Sequence, residues 1–162
     1  MQMAATSVEP IEKNLSLKVP RAFAFRIFTE EIHMWWPAET HSVAAGQGGL
    51  PQGIVIEPQT GGRIYEVLPD GCHCDWGKVT DWQPPERLSF IWHPGHPETR
   101  ATIVHVDFIE VGASETQVRL RHEGWDQIEG GAEVRQQYVP GWDHVLLDCY
   151  GGAVRAHHQE QT

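Results

Sequence analysis

The chain has 162 residues, 40% of them hydrophobic and 21% charged, a balance that suits one globular domain with its own core and argues against disorder. Its formal net charge is −10 with ten histidines counted neutral, and it carries no basic cluster, so neither nucleic acid nor an anionic membrane surface is expected as a partner. Three cysteines, an odd number, do not make a disulfide framework, and no segment reads as a signal peptide or as long enough to span a bilayer. The expectation is a single domain over residues 1–162, cytoplasmic, with residues 1–9 and 157–162 as mobile tails.

In chain order, Ile11, Leu15, Leu17 and Val19 fall on one side of a period-two pattern, with Glu12, Asn14, Ser16 and Lys18 opposite, which predicts a half-buried strand. Pro20 is placed to open a helix at its first position. Phe25, Phe28, Ile32 and Trp35 then recur at helical steps. Thr29, followed by Glu30 and Glu31, has the chemistry of an N-cap with acids in the first turn, so a second short helix is expected there, ended by Pro37. From Ala38 to Gln52 the chain is rich in Gly, Ala and small polar residues, a long loop of the kind that is mobile or functional.

A run of strands follows: Gly53–Glu57, Arg63–Leu68, Cys72–Trp82, Arg87–His93, Thr102–Val111 and Glu115–Glu123. Turn signals such as Pro69-Asp70-Gly71 separate them. Short connections between consecutive strands mean an antiparallel meander. Leu88, Phe90 and Trp92 share one face, as do Val104, Val106 and Phe108, and Val118, Leu120 and His122. A sheet with one apolar face must cover it. The remaining long amphipathic segment, Gly131 to Arg155, supplies the cover: Val134, Tyr138, Trp142, Val145, Cys149 and Ala153 recur at steps of three and four. The architecture expected is an α+β fold with a curved antiparallel sheet of six or seven strands wrapped around a long C-terminal helix.

Several stretches, in order along nearly the whole chain, resemble one family. They are Ala22-Phe23 through Phe28-Thr29, Trp35-Trp36-Pro37, Gly61 to Glu66, Asp75 to Val79 and Trp82 to Pro85, then Leu88 to Trp92, His122 to Trp125 and Tyr138 to Trp142. By these the chain is identified as a member of the SRPBCC (START/Bet v 1-like, helix-grip) superfamily, in the branch similar to the C-terminal domain of the Hsp90 ATPase activator. The resemblance implies a β-α-α-β6-α order with a cavity between sheet and long helix. It implies less about function, because the superfamily includes lipid carriers, hormone receptors, polyketide cyclases and co-chaperone domains. Val139-Pro140-Gly141 departs from its relatives, which commonly have no proline there.

Two residues are candidates for chemistry. His122, on the apolar face of the last strand, is either a general base or a core histidine shaping the wall. Glu66 shares side-chain parity with Ile64; it either orients a ligand or acts as a base, or it pairs with Arg63 or another arginine. Asp75 and Asp107 read as solvated strand charges. Cys72-His73-Cys74 cannot converge on a metal from one strand, so no metal and no cofactor is expected. Cys149 reads as a small buried hydrophobe. The seven tryptophans either line a cavity or fill it.

The candidate cavity set is Trp76, Phe90, Trp92, Val106, Phe108, Leu120, His122, Trp125, Tyr138 and Trp142, with Trp35 and Trp36 as rim. The leading functional expectation is a small hydrophobic or aromatic ligand held there. The alternatives are a cyclase-, hydratase- or hydrolase-like enzyme using His122 or Glu66, and a chaperone-associated domain. An Hsp90-type chaperone is not expected as partner, since the chain has no room for a separate N-terminal domain; a homodimer stays open. Pro140 lacks an N–H and is expected to kink or restart the helix, leaving a functional first half and a structural second half.

Overall fold

The computed structural model describes residues 8–160, with side chains described up to residue 157; the expected tail residues 1–7 and 161–162 lie outside the described residues. Seven strands form one antiparallel sheet: β1 (Ile11–Leu17), β2 (Gly53–Ile56), β3 (Arg63–Val67), β4 (His73–Gln83), β5 (Arg87–Trp92), β6 (Thr102–Gly112) and β7 (Glu115–Glu123). Their spatial order is β1-β7-β6-β5-β4-β3-β2, so the meander of β2 to β7 closes onto the first strand of the chain. The expected strands are all present, with ends that differ by a residue or so, as strand ends do.

Three short helices lie between β1 and β2: α1 (Arg21–Thr29), α2 (Ile32–Trp35) and α3 (Val43–Gly46). Pro20 sits at the N-cap of α1 with extended backbone, one position earlier than expected. Thr29 does not cap α2. It is the last residue of α1, and its hydroxyl donates back to the Phe25 carbonyl at 2.9 Å. A threonine already satisfied four residues back has no reason to leave the helix. Trp36 takes extended backbone before Pro37, which ends α2 as the proline requires.

The apolar face of the sheet is the core. Leu88 and Phe90 of β5, Val104, Val106 and Phe108 of β6, and Val118 and Leu120 of β7 are buried on it. Each lies beside its register partner, as in Val106 opposite Leu88 on one side and Leu120 on the other. The opposite face carries cross-strand ion pairs: Arg63 with Asp75 at 2.7 Å and Arg87 with Asp107 at 2.9 Å. Arg63 is thereby committed to Asp75, so it is no partner for Glu66. At Gly77 of β4 the strands approach so closely that a Cβ would run into the Ile91 carbonyl, which is why the Asp75 to Val79 stretch needs glycine at its centre.

The C-terminal helix runs without interruption from Gly131 to Glu160 in three parts: α4 (Gly131–Trp142), a wider-wound segment Asp143–Tyr150, and α5 (Gly151–Glu160). It therefore includes the backbone of residues 157–160, expected as tail. Pro140 neither breaks nor restarts it: Trp142 and Asp143 keep right-handed helical backbone, and the Asp143 N–H reaches the Pro140 carbonyl. The winding widens just after the proline instead. This shifts the buried face. Trp142 and Val145 are buried as the apolar stripe predicts, but the later core positions are Leu146, Tyr150 and Val154, while Cys149 and Ala153 are only half-buried. In a regular α-helix a step of four residues overshoots one turn by about 40°. Wider turns absorb that overshoot, so residues 142, 146, 150 and 154 can share a face. Tyr150 anchors it, its hydroxyl donating to the Ala24 carbonyl of α1 at 2.6 Å.

With the long helix gripped by the curved sheet, the fold is the helix-grip form of α+β structure. Among the described residues no helix is long and apolar enough to cross a membrane.

Candidate functional site

A cavity of about 640 Å³ opens between one end of the sheet and the long helix. The end of β5 supplies Trp92, and the β5–β6 connection adds His93 to His96 and Arg100. The start of β6 adds Thr102, and Trp125 and Ile128 come from the chain after β7. Val134, Gln137, Tyr138, Gly141, Trp142 and Val145 line it from the long helix. The loop after α2 closes the remaining side with Trp36, Thr40, His41, Ser42, Val43 and Gly46. The expected long loop at 38–52 therefore contains a short helix and forms one wall.

Five of the aromatic side chains singled out from sequence come together here: Trp36, Trp92, Trp125, Tyr138 and Trp142. Trp76, Phe90, Val106, Phe108, Leu120 and His122 do not line the cavity; they lie in the core behind or beside it. The cause is the pair α1 and α2. Phe25 and Phe28 of α1 pack edge-on against Phe108 with centroids 5.1 Å and 5.8 Å away, filling the half of the sheet that was expected to be open. Trp35 is not rim either. It is 4% exposed, donates its N–H to the Ile27 carbonyl at 3.0 Å and packs on Tyr150. Trp36 does sit at the mouth, where it packs on Trp76 and Trp92 and donates to the His41 carbonyl at 2.6 Å.

His122 is fully buried one layer behind the wall. Its Nδ1 accepts the Trp142 indole N–H at 3.0 Å, so Nε2 carries the proton and donates to Thr102 Oγ1 at 2.6 Å. Thr102 in turn donates its hydroxyl hydrogen bond to the Trp92 carbonyl at 3.3 Å. The His122 carbonyl accepts from Trp125 Nε1 at 3.0 Å, and the Trp125 ring lies against the imidazole. Burial lowers the pKa from 6.5 to about 3, so the ring is neutral at any ordinary pH. With both nitrogens occupied and the side chain buried outside the cavity lining, the arrangement is that of a core histidine positioning three wall residues: Thr102, Trp125 and Trp142.

Glu66 is fully buried and lies outside the cavity wall. One carboxylate oxygen accepts the Val43 N–H at 2.9 Å and the Trp76 indole N–H at 3.0 Å; the other accepts the Ala44 N–H at 2.8 Å. An acid buried in the sheet face thus receives the first amides of α3, with no arginine involved. Ser42 completes the cap by accepting the Ala45 N–H at 3.0 Å. Glu66 fastens the mouth loop to the sheet.

Of the polar groups that face the cavity, Tyr138 and Trp92 belong to the expected set, whereas Arg100 and His41 are not among the candidates read from sequence. Arg100 is half-buried and lines the cavity, and among the described residues it has neither an ion pair nor a side-chain hydrogen bond. His41 is at the mouth, its ring 5.9 Å from that of His144 on the long helix. Burial, followed by the neighbouring His144, lowers its pKa, while Glu39 pulls the other way. His93 is held by the His96 carbonyl at 2.9 Å. The phenol of Tyr138 is pushed up by burial, partly offset by the nearby Trp92 N–H. That N–H lies close to Tyr138 without completing a hydrogen bond to it, and it is the one buried side-chain polar atom left without a partner among the described residues. Arg100 and His41 belong to connections with no periodic signal, so the apolar patterning that located the core had no purchase on them.

No curated protein matches the chain. Among solved structures it is similar to an anthrahydroquino-gamma-pyrone synthase, Txn09, at 28% identity with a TM-score of 0.56, covering 80% of this chain and 86% of that one. The self-sacrificing resistance protein CalC from Micromonospora echinospora is 23% identical with a TM-score of 0.68, over 93% of this chain and 96% of that one. The Aha1 dimer from Colwellia psychrerythraea is 18% identical with a TM-score of 0.61, over 85% and 90%. Residues 18–148 match the family model described as activator of Hsp90 ATPase homolog 1-like protein. Because that match spans most of the length, from the end of β1 into the wide turns of the long helix, the chain belongs to the activator of Hsp90 ATPase homolog 1-like family, within the SRPBCC superfamily.

Proposed function

We propose that the protein binds a small aromatic or hydrophobic molecule in the cavity between the sheet and the C-terminal helix. The observation that carries this reading is the indole-walled cavity of about 640 Å³, a volume in the range of small-molecule sites. Its likeness to a synthase named for an anthrahydroquinone-fused pyrone supports an aromatic ligand. An enzymatic role through His122 or Glu66 has no such support, because both side chains are engaged elsewhere and neither lines the cavity.

Gly141 offers a clean test. It lines the cavity from the long helix, and a Cβ there would meet nothing within 4 Å. Gly141→Leu should fill binding space while removing a glycine from a helix interior, which is worth up to about 1 kcal/mol in favour of folding. The expected outcome is loss of aromatic-ligand binding by calorimetry with melting temperature unchanged or raised. A variant that binds such ligands as tightly as the parent would overturn the reading.

A further inference from the structure

We infer that the cavity selects an aromatic anion bearing a carbonyl acceptor, with its carboxylate or phenolate on Arg100 and its carbonyl on the Trp92 indole N–H. This rests on the cavity being the binding site, and it adds what the site recognises.

The charge distribution points to an anion. The chain has 22 acidic and 12 basic residues, yet no aspartate or glutamate among the described residues lines the cavity. Among the described residues Arg100 is the only lysine or arginine that does, and no carboxylate of theirs neutralises it. Arg63, Arg87, Arg121 and Arg135 are engaged, with Asp75, Asp107, Glu123 and the Glu9 carbonyl respectively. Arg119 and Arg155, which like Arg100 have no side-chain bond among the described residues, are exposed to water rather than half-buried. A half-buried arginine lining a concave, largely apolar cavity, in a protein with acids to spare, is placed to receive a planar anion.

The second point is independent of charge. Trp92 is 4% exposed and lines the cavity, and its N–H is the buried donor left unsatisfied. The N–H has no surface open to the cavity and lies near the Tyr138 hydroxyl without completing a hydrogen bond to it. A small turn of the indole would present it to an acceptor on the ligand and relieve the cost of leaving it unpaired. Trp92 pairs in register with Thr102, two residues after Arg100, so both recognition points belong to the same end of the β5–β6 pair. Three indoles around them, Trp36, Trp125 and Trp142, supply the flat apolar surface for a fused ring.

Matched probes separate the parts. 9-Fluorenone-2-carboxylate carries both features, its carboxamide lacks the charge, and fluorene-2-carboxylate lacks the ketone. Calorimetric titration of the parent protein should show each removal weakening binding about tenfold, as expected for one buried or charge-assisted hydrogen bond. Arg100→Gln should abolish the preference for acid over amide and leave the preference for ketone over methylene. Trp92→Phe should do the reverse. Raising salt should weaken the acid and leave the amide unchanged. Equal binding of all three probes to the parent, or variants that lose affinity for all three alike, would overturn the inference while leaving ligand binding intact. Failure of every probe to bind, with the Gly141→Leu variant indistinguishable from the parent, would count against the binding reading itself.

Discussion

His122 shows how a residue type can mislead when its surroundings are not known. From sequence it was either a base or a core histidine, and its two nitrogens decide the matter: one accepts from Trp142 and the other donates to Thr102. Its burial has a consequence for stability. The unfolded imidazole titrates near 6.5 and the folded one near 3. Above pH 6.5 both states are neutral and the group contributes no pH dependence. As pH falls from 6.5 towards 3 only the unfolded chain takes up the proton, so stability is lost through that window, by at most about 5 kcal/mol. His122→Gln keeps an acceptor and a donor but cannot charge. It should cost about 1–2 kcal/mol at pH 7 and show a shallower loss between pH 6.5 and pH 4 in denaturant titrations. Parallel losses in parent and variant would mean that other groups govern acid sensitivity.

At the level of elements, the mouth loop and the long helix carry the departures from expectation. The loop between α2 and β2 is held by Glu66, whose carboxylate receives two backbone amides of α3 and one indole. Replacing it by glutamine keeps one acceptor oxygen and introduces an N–H₂ facing donors. Glu66→Gln should therefore speed hydrogen exchange at the Val43 and Ala44 amides by at least about tenfold, since charge-assisted bonds are worth roughly 1.5–3 kcal/mol each. Exchange at β6 and β7 should stay slow. Unchanged protection at Val43 and Ala44 would show that the loop is held by other contacts. In the long helix, Val134, Tyr138, Trp142 and Val145 were readable because that stretch keeps the ordinary helical period. Cys149 and Ala153 pack only at the margin of the core while Leu146, Tyr150 and Val154 take its centre, because the turns widen after Pro140 and an apolar pattern read at a fixed period cannot register a change of period.

For the whole molecule, the strands were legible because residues such as Val104, Val106 and Phe108 alternate cleanly and one wrong step would turn all of them to solvent. The cavity was not legible to the same degree. Phe90, Phe108 and Trp92 have the same signature in sequence, yet Phe108 is plugged by Phe25 and Phe28 whereas Trp92 faces open space. Which apolar residues meet a void depends on where α1 and α2 dock and on the β5–β6 connection, and both are tertiary facts. Arg100 is the sharpest case, an arginine in an aperiodic turn whose meaning lies in having no partner.

Trp36, Trp76 and Trp92 pack in a mutual triangle with ring centroids 5.2 Å to 5.7 Å apart and planes crossed at 53° to 81°. Chromophores that close and that steeply crossed share their electronic excitation, and the sharing is chiral. The parent protein should show an exciton couplet in its far-ultraviolet circular dichroism, and Trp36→Phe should reduce it strongly while leaving the sheet intact. Trp76 and Trp92 belong to the sheet, but Trp36 sits at the root of the mouth loop. Any movement of that loop must therefore change the coupling, which makes the triangle an optical gauge of how far the mouth is open.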